Sequence, residues 1–444
     1  MSGKQQCVKV LMFPWLAHGH ISPFTELAKR LIVIQRNVHV FLCSTSVNLE
    51  PLRKSIDEPS IEFVNFHLST TELPEIYHTT RNLPSHLMPV LKTAFDDSKE
   101  SFRSVVKTVK PDIIIYDFIP PWAPQVADEE GIASIILYIF CAASIALLAH
   151  YIIHPEMEYP FESMRLSETE RKLCDVIDMV TGDAAGRDRF LGPFERSSTS
   201  FILIHSSNQV EADYIGYLSK LMKTEVVPTG FLVQEPAAVE SGDDVVLLNW
   251  LSKKNPKSVV LVSFGSESFL SKKEMEELGL GLESSGVSFI WVVRFAVGEK
   301  MSLDEALPKG FIDRVGDRGL IVEGWAPQAK ILTHSSVGGF VSHCGWSSIL
   351  EAITYGVPVI CMARKLDHPI TSKLVVELGI GVEVRRDGEE FTRGEIAKAI
   401  KKVVVEEEGR EIGRKVDTLR DEVRRKRDVE INAAVQRIVQ LAQA

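Results

Sequence analysis

Two histidines stand in the run Pro14-Trp15-Leu16-Ala17-His18-Gly19-His20-Ile21-Ser22-Pro23, between an apolar stretch and a helical pattern. Imidazole titrates near neutral pH, so it is the side chain suited to taking a proton from a hydroxyl. Ser22 reads as a helix N-cap with Pro23 at the first helical position. That places His18-Gly19-His20 in a loop near a positive helix end, where imidazolium is disfavoured and the neutral base is kept. Gly19 allows a ligand close to the backbone. A base also needs an orienting partner. Asp117 ends the apolar run 112–116, and in a parallel sheet that strand end can lie beside the first loop. An aspartate accepting from one ring nitrogen fixes the tautomer and stabilises the imidazolium that forms. A structural histidine and a helix-capping aspartate remain the alternative.

A second group lies in the other half. Gly265-Ser266 follows the apolar run 259–264, and His343-Cys344-Gly345-Trp346-Ser347-Ser348 follows 339–342 and opens a helical pattern. A helix N-terminus with glycine and two serines is a natural phosphate site, and His343 adds a donor. Glu351 falls one turn inside that helix, on the face of Ser347 and Ser348, where it can accept from ribose hydroxyls. Trp325, before Ala326-Pro327-Gln328, offers a flat surface for a base. A packing tryptophan with ordinary caps is the alternative. Cys344 reads as structural. Gly279-Leu280-Gly281 lies within a helical pattern, so it fails as a dinucleotide fingerprint. The sequence has no G-x-S-x-G, no H-E-x-x-H and no D-x-D. The last would be expected of a diphosphate held through a divalent metal.

These residues need strand ends to position them. Apolar strands are expected at 8–13, 38–42, 112–116, 132–139 and 201–204, then at 258–263, 288–293, 320–322, 339–342, 357–361 and 381–384, with helices between. Nearly continuous apolar strands mean sheets covered on both faces. Turn formers and acidic residues across 228–244 read as a linker. The expectation is α/β: two successive doubly wound parallel-sheet domains with a cleft between, ligands binding beyond the strands' carboxyl ends. Residues 132–149 approach membrane-spanning length but divide into a β-branched half and an alanine-rich half, so a buried strand followed by a buried helix is expected. The charged stretch 406–427 reads as a solvated helix face.

The chain has 444 residues, enough for two or three domains. Its net charge of −10 argues against nucleic-acid or anionic-membrane binding. Six scattered cysteines without a C-x-x-C pair suggest reduced thiols in a cytoplasmic protein. The apolar stretch after the N-terminus is too short for a signal peptide and reads as a strand.

The run from Trp325 to His368 resembles, nearly position by position, the signature box of plant family-one UDP-sugar glycosyltransferases. Its landmarks are Trp325-Ala326-Pro327-Gln328, His334, Gly339-Phe340, His343-Cys344-Gly345-Trp346, Ser348, Glu351, Gly356-Val357-Pro358 and Asp367. Gly19-His20-Ile21-Ser22-Pro23 is similar to that family's base loop. The resemblance implies a GT-B arrangement. In it, residues 1–230 form an acceptor-binding domain, 231–250 a linker and 251–425 a UDP-sugar-binding domain, with 426–444 a helix returning to the first domain. It also implies a UDP-sugar donor, no metal, and His20 as general base with Asp117 as its partner. Trp325 would stack on uracil, with Ala326 and Gln328 adding contacts to the nucleoside, and Glu351 would hold the ribose. His343, Ser348, the Gly345 backbone and Ser266 would hold the diphosphate. Trp346, Asp367 and His368 would contact the sugar, and Gly19 and Ser347 would be further donor contacts.

Ser347 replaces the family's usual Asn, and His368 its usual final Gln, so the donor sugar is left open between glucose, galactose and others, hexose or pentose. Met12 to Pro23, Leu83-Pro84-Ser85-His86-Leu87 and Ser263-Phe264-Gly265-Ser266-Glu267 are similar to the branch-forming subgroup, which adds a sugar to a sugar. The expected reaction is inverting and metal-independent transfer, by a monomer without a membrane span, to a small hydrophobic glycoside of the flavonoid or triterpenoid kind. His86, Phe118, Trp122 and Phe140 are candidate acceptor contacts. Transfer to the bare aglycone, a UDP-sugar binder without transferase activity, and a nicotinamide oxidoreductase are the competing readings.

Overall fold

The computed structural model describes residues 7–443 apart from 82, 183, 197–200, 237–241 and 296–300. Two compact units result. The first comprises residues 1–158, 178–233 and 425–444, the second residues 159–177 and 234–424.

The first unit is built on a parallel sheet of β1 (Val8–Phe13), β2 (Val38–Ser44), β3 (Ile61–Asn65), β4 (Ile113–Tyr116), β5 (Ala133–Tyr138), β6 (Phe201–Ile204) and β7 (Glu225–Pro228). Their order is β3-β2-β1-β4-β5-β6-β7. β3 and β7 were not expected from sequence. Both are edge strands: β3 carries Glu62 and Asn65, and β7 opens on Glu225 and closes on a proline that an interior strand would not tolerate. The central strands are apolar throughout, and Val10, Met12, Ile113, Ile115 and Leu137 join one core with Phe24, Leu27 and Leu31 of the helix His18–Ile34. Ile431, Ala434, Val435, Ile438 and Val439 of the long helix Glu407–Ala442 seal the same core.

Residues 132–149 divide into β5 and the buried helix Ala142–Ile153. Cys141 caps that helix, its sulfur accepting the Ser144 N–H at 3.3 Å. Glu211 accepts the Ala142 and Ala143 N–H groups at 3.0 and 2.9 Å. Among the described residues no helix is long and apolar enough to cross a membrane.

The second unit carries β8 (Val259–Ser263), β9 (Ser288–Val293), β10 (Gly319–Glu323), β11 (Val337–Ser342), β12 (Val359–Cys361) and β13 (Gly381–Glu383). Their order, β10-β9-β8-β11-β12-β13, is that of a doubly wound nucleotide-binding sheet. Of the expected linker 231–250, Phe231, Leu232 and Val233 are buried in the first unit and the helix Gly242–Ser252 occupies the end. Residues 237–241 of that stretch lie outside the described residues.

Candidate active site

In the first unit β1 and β4 are hydrogen-bonded neighbours, with Phe13 opposite Tyr116. The residues following the two strand ends therefore meet. His20 Nδ1 lies 2.7 Å from Asp117 Oδ2. Asp117 is fully buried, while the His20 side chain retains 15% exposure. The Trp15 N–H also donates to Asp117 Oδ2 at 3.2 Å, and the Ile119 N–H to Oδ1 at 3.4 Å. A carboxylate only accepts, so Nδ1 carries the ring proton and Nε2 is the basic nitrogen.

The helix bearing His20 begins at His18 and not at Ser22. Ala17 is its N-cap residue, and its carbonyl accepts from His20 and Ile21 at 3.0 and 2.9 Å. Pro23 therefore lies one turn in, where it forgoes the bond to the Gly19 carbonyl so close to the end that the helix tolerates it. His20 thus projects from a fixed first turn, not from a loop. Space is open beside Gly19, where an added Cβ would meet nothing within 4 Å.

Phe118 and Phe140 bracket the imidazole, with ring centroids 6.4 and 6.2 Å away. Trp122 instead packs among Phe13, Phe66, Phe95 and Phe102. His86 stands exposed on the 3-10 turn Ser85–Leu87.

The second unit carries the other group after the ends of β8, β10, β11 and β12. The helix Trp346–Tyr355 starts directly after Gly345, with no acidic residue in its first turn. Its end amides and positive dipole are suited to an anion. His343 lies between two glycines. A Cβ at Gly265 would come within 2.7 Å of the ring, and one at Gly345 within 2.6 Å. Gly265 also has φ +73°, which glycine adopts without strain. Burial, reinforced by the charge of Arg364, pushes the His343 pKa down to about 4, so the ring is neutral at pH 7. Its Nδ1 has no hydrogen-bond partner among the described residues, and neither has Nδ1 of His368. The two rings meet edge to face at 4.8 Å. Burial, with His343 and the cations Lys365 and Arg364, holds His368 well below its ordinary pKa.

Gln328 donates to Glu351 at 2.7 Å and to Ser348 at 3.4 Å, so these three form one polar edge. Burial pushes Glu351 up to about 7, against the pull of the Gln328 bond. Trp325 is half exposed, whereas Ala326 is buried beside it. Trp346 is 4% exposed, Ser266 and Ser347 are partly buried, and Asp367 precedes the helix His368–Glu377.

Arg294 was missed in the sequence. Its guanidinium lies 5.3 Å from the Trp325 ring centroid and donates to the Gly265 carbonyl at 3.3 Å. It immediately follows β9, at the kind of strand end where doubly wound sheets bind ligands.

Residues 248–420 match the family described as UDP-glucoronosyl and UDP-glucosyl transferase, and residues 6–229 match the glycosyltransferase N-terminal domain. UDP-glucosyltransferase 29 of Panax ginseng is 45% identical, over 99% of this chain and 98% of its own. A β-D-glucosyl crocetin β-1,6-glucosyltransferase of Gardenia jasminoides is 44% identical, over 97% and 98%. A flavanone 7-O-glucoside 2''-O-β-L-rhamnosyltransferase of Citrus maxima is 40% identical, over 97% of each chain. The solved structure of TcCGT1 in complex with UDP superposes with a TM-score of 0.81 at 25% identity, covering 98% of this chain and 99% of that one. With both halves matched, two doubly wound sheets of the GT-B fold and relatives aligned end to end, the chain belongs to the plant family-one UDP-sugar glycosyltransferases and is a UDP-dependent glycosyltransferase.

Proposed function

We propose that this enzyme inverts the anomeric centre of its UDP-sugar, uses no metal, and transfers the sugar to a hydroxyl of a sugar already attached to a small specialised metabolite. A triterpenoid or flavonoid glycoside is the acceptor class. The observation that carries the mechanism is the 2.7 Å contact of His20 Nδ1 with buried Asp117. It leaves Nε2 to take the acceptor proton as the acceptor oxygen attacks the anomeric carbon opposite UDP. Charge grows on the leaving diphosphate. The amides opening the helix Trp346–Tyr355, with neutral His343 and with Ser266, Ser347 and Ser348, are the groups proposed to receive it. Trp325 carries the uracil with Ala326 and Gln328 at its edge, and Glu351 the ribose. Trp346, Asp367 and His368 face the sugar. Positioning and electrostatics suffice, with no covalent intermediate on the protein. Phe118 and Phe140 beside His20 supply an apolar wall suited to a hydrophobic aglycone.

Acceptors already bearing sugar are favoured by the relatives: the Gardenia and Citrus enzymes are named for transfer onto glucosides. The six cysteines are free thiols, which supports a reducing, cytoplasmic setting.

The test is a donor panel (UDP-glucose, -galactose, -xylose and -rhamnose) against paired glycosylated and bare acceptors, run for the parent and for His368→Gln. Glycosides should be preferred by at least about tenfold, the worth of one specific hydrogen bond. Equal rates on bare aglycones would overturn the sugar-on-sugar reading. An unchanged donor order in His368→Gln would remove His368 from the donor site.

A further inference from the structure

Residues 159–177 follow the helix Ala142–Ile153 and precede β6 in the chain, yet they belong to the second unit. There they bond to the helix His368–Glu377 and to the turn that leads into it. Ser163 Oγ donates to Glu377 at 2.8 Å, at the helix's far end. Lys373, midway along, pairs with Glu170 at 3.0 Å, both side chains largely buried. The Glu170 carboxylate is itself aimed by a capping box with Ser167. Asp175 Oδ1 accepts the Leu366 N–H at 2.7 Å, just before the helix begins.

That last contact falls on an unusual residue. Leu366 has φ +60°, a left-handed conformation that a branched side chain resists and that persists only when its surroundings hold it. The turn it makes ends at Asp367, whose side chain forms no cap on its own helix, and at His368. Cys174, next to Asp175, is buried. Burial pushes its thiol pKa up, and the negative charges of Asp367 and Asp175 add to the shift, so residues 159–177, a strap on the second unit, and the turn are close neighbours.

We infer that Asp175 is a positioning residue for the donor sugar: its carboxylate, by accepting the Leu366 N–H, holds the left-handed turn that aims Asp367 and His368. This rests on the reading of those two residues as sugar contacts. Asp175 touches neither donor nor acceptor. It acts through the turn, and the strap thereby ties an excursion of the acceptor half of the sequence to the choice of sugar.

The experiment compares Asp175→Ala, Asp175→Asn and Ser163→Ala with the parent, by donor KM and kcat, by calorimetric Kd for UDP alone, and by Tm. Asp175→Ala should raise the KM for the UDP-sugar about tenfold, the scale of one charge-assisted hydrogen bond, and leave the Kd for sugarless UDP unchanged. Asp175→Asn keeps an acceptor oxygen and should recover most of the loss. Ser163→Ala, at the far end of the helix, should match the parent. An unchanged donor KM in Asp175→Ala, or equal weakening of UDP and UDP-sugar, overturns the proposal. Asp367→Asn separates the two readings. If it leaves donor KM untouched, the sugar-contact reading itself has failed. If it raises KM while Asp175→Ala does not, only the positioning role has failed.

Discussion

At the scale of the residue, the histidines of the two units sit in opposite electrostatic settings. His20 keeps partial exposure and a buried carboxylate on Nδ1, so a charge appearing on the ring has a counter-charge waiting. His343 is neutral because burial and Arg364 drive its pKa to about 4, which suits a hydrogen-bond donor and not a base. Glu351 is raised to about 7 by burial. Ribose hydroxyls donate more strongly to the carboxylate than to the neutral acid, whose own O–H competes as a donor, so donor binding should favour the ionised form and release a proton. The sign follows: affinity is full above pH 7 and falls as pH drops through 7. Between pH 8 and pH 6 the Kd for UDP-glucose, whose diphosphate does not titrate there, should weaken by about tenfold. Glu351→Gln should bind more weakly and show no such slope. A parent Kd independent of pH over that range would mean the ribose does not rest on Glu351.

Elements explain why so much of this site could be read from sequence and where the reading stopped. The strand ends after β1, β4, β8, β10, β11 and β12 were legible because parallel strands are largely apolar, and the residues that break such runs stand at the carboxyl ends where sheets of this kind bind ligands. β3 and β7 were not legible, since edge strands carry polar residues and, in β7, a terminal proline. The helix start at His18 was misplaced because Ser22-Pro23 mimics a cap, and only the Ala17 carbonyl bonds reveal the earlier first turn. Arg294 and Asp175 were invisible because their partners, Trp325 and Leu366, are distant in sequence. The glycines around His343 carry an element-scale prediction. Gly265→Ala places a methyl group against the ring at a positive φ, a strain of about 1–3 kcal/mol that the loop relieves by moving His343. UDP affinity should fall about tenfold or more while the melting temperature drops by only a few degrees. Undiminished UDP affinity would show that the imidazole's place between the glycines does not matter to the nucleotide.

Across the whole molecule, each unit has its own sheet and its own core, and the residues proposed for the chemistry are divided between them. His20 and Asp117 lie in the first unit. Every residue assigned to uracil, ribose, diphosphate or sugar lies in the second, and only Gly19 of the expected donor contacts lies beside His20. The division makes binding and catalysis separable by mutation. The central claim is therefore tested most directly by measuring transfer and donor binding together in His20→Ala. Release of UDP in the presence of a glycoside acceptor should fall by about 10²–10⁴-fold, while the Kd for UDP-glucose stays that of the parent. A variant that transfers sugar at the parental rate, or one that loses donor binding along with turnover, would contradict the assignment of His20 as the base.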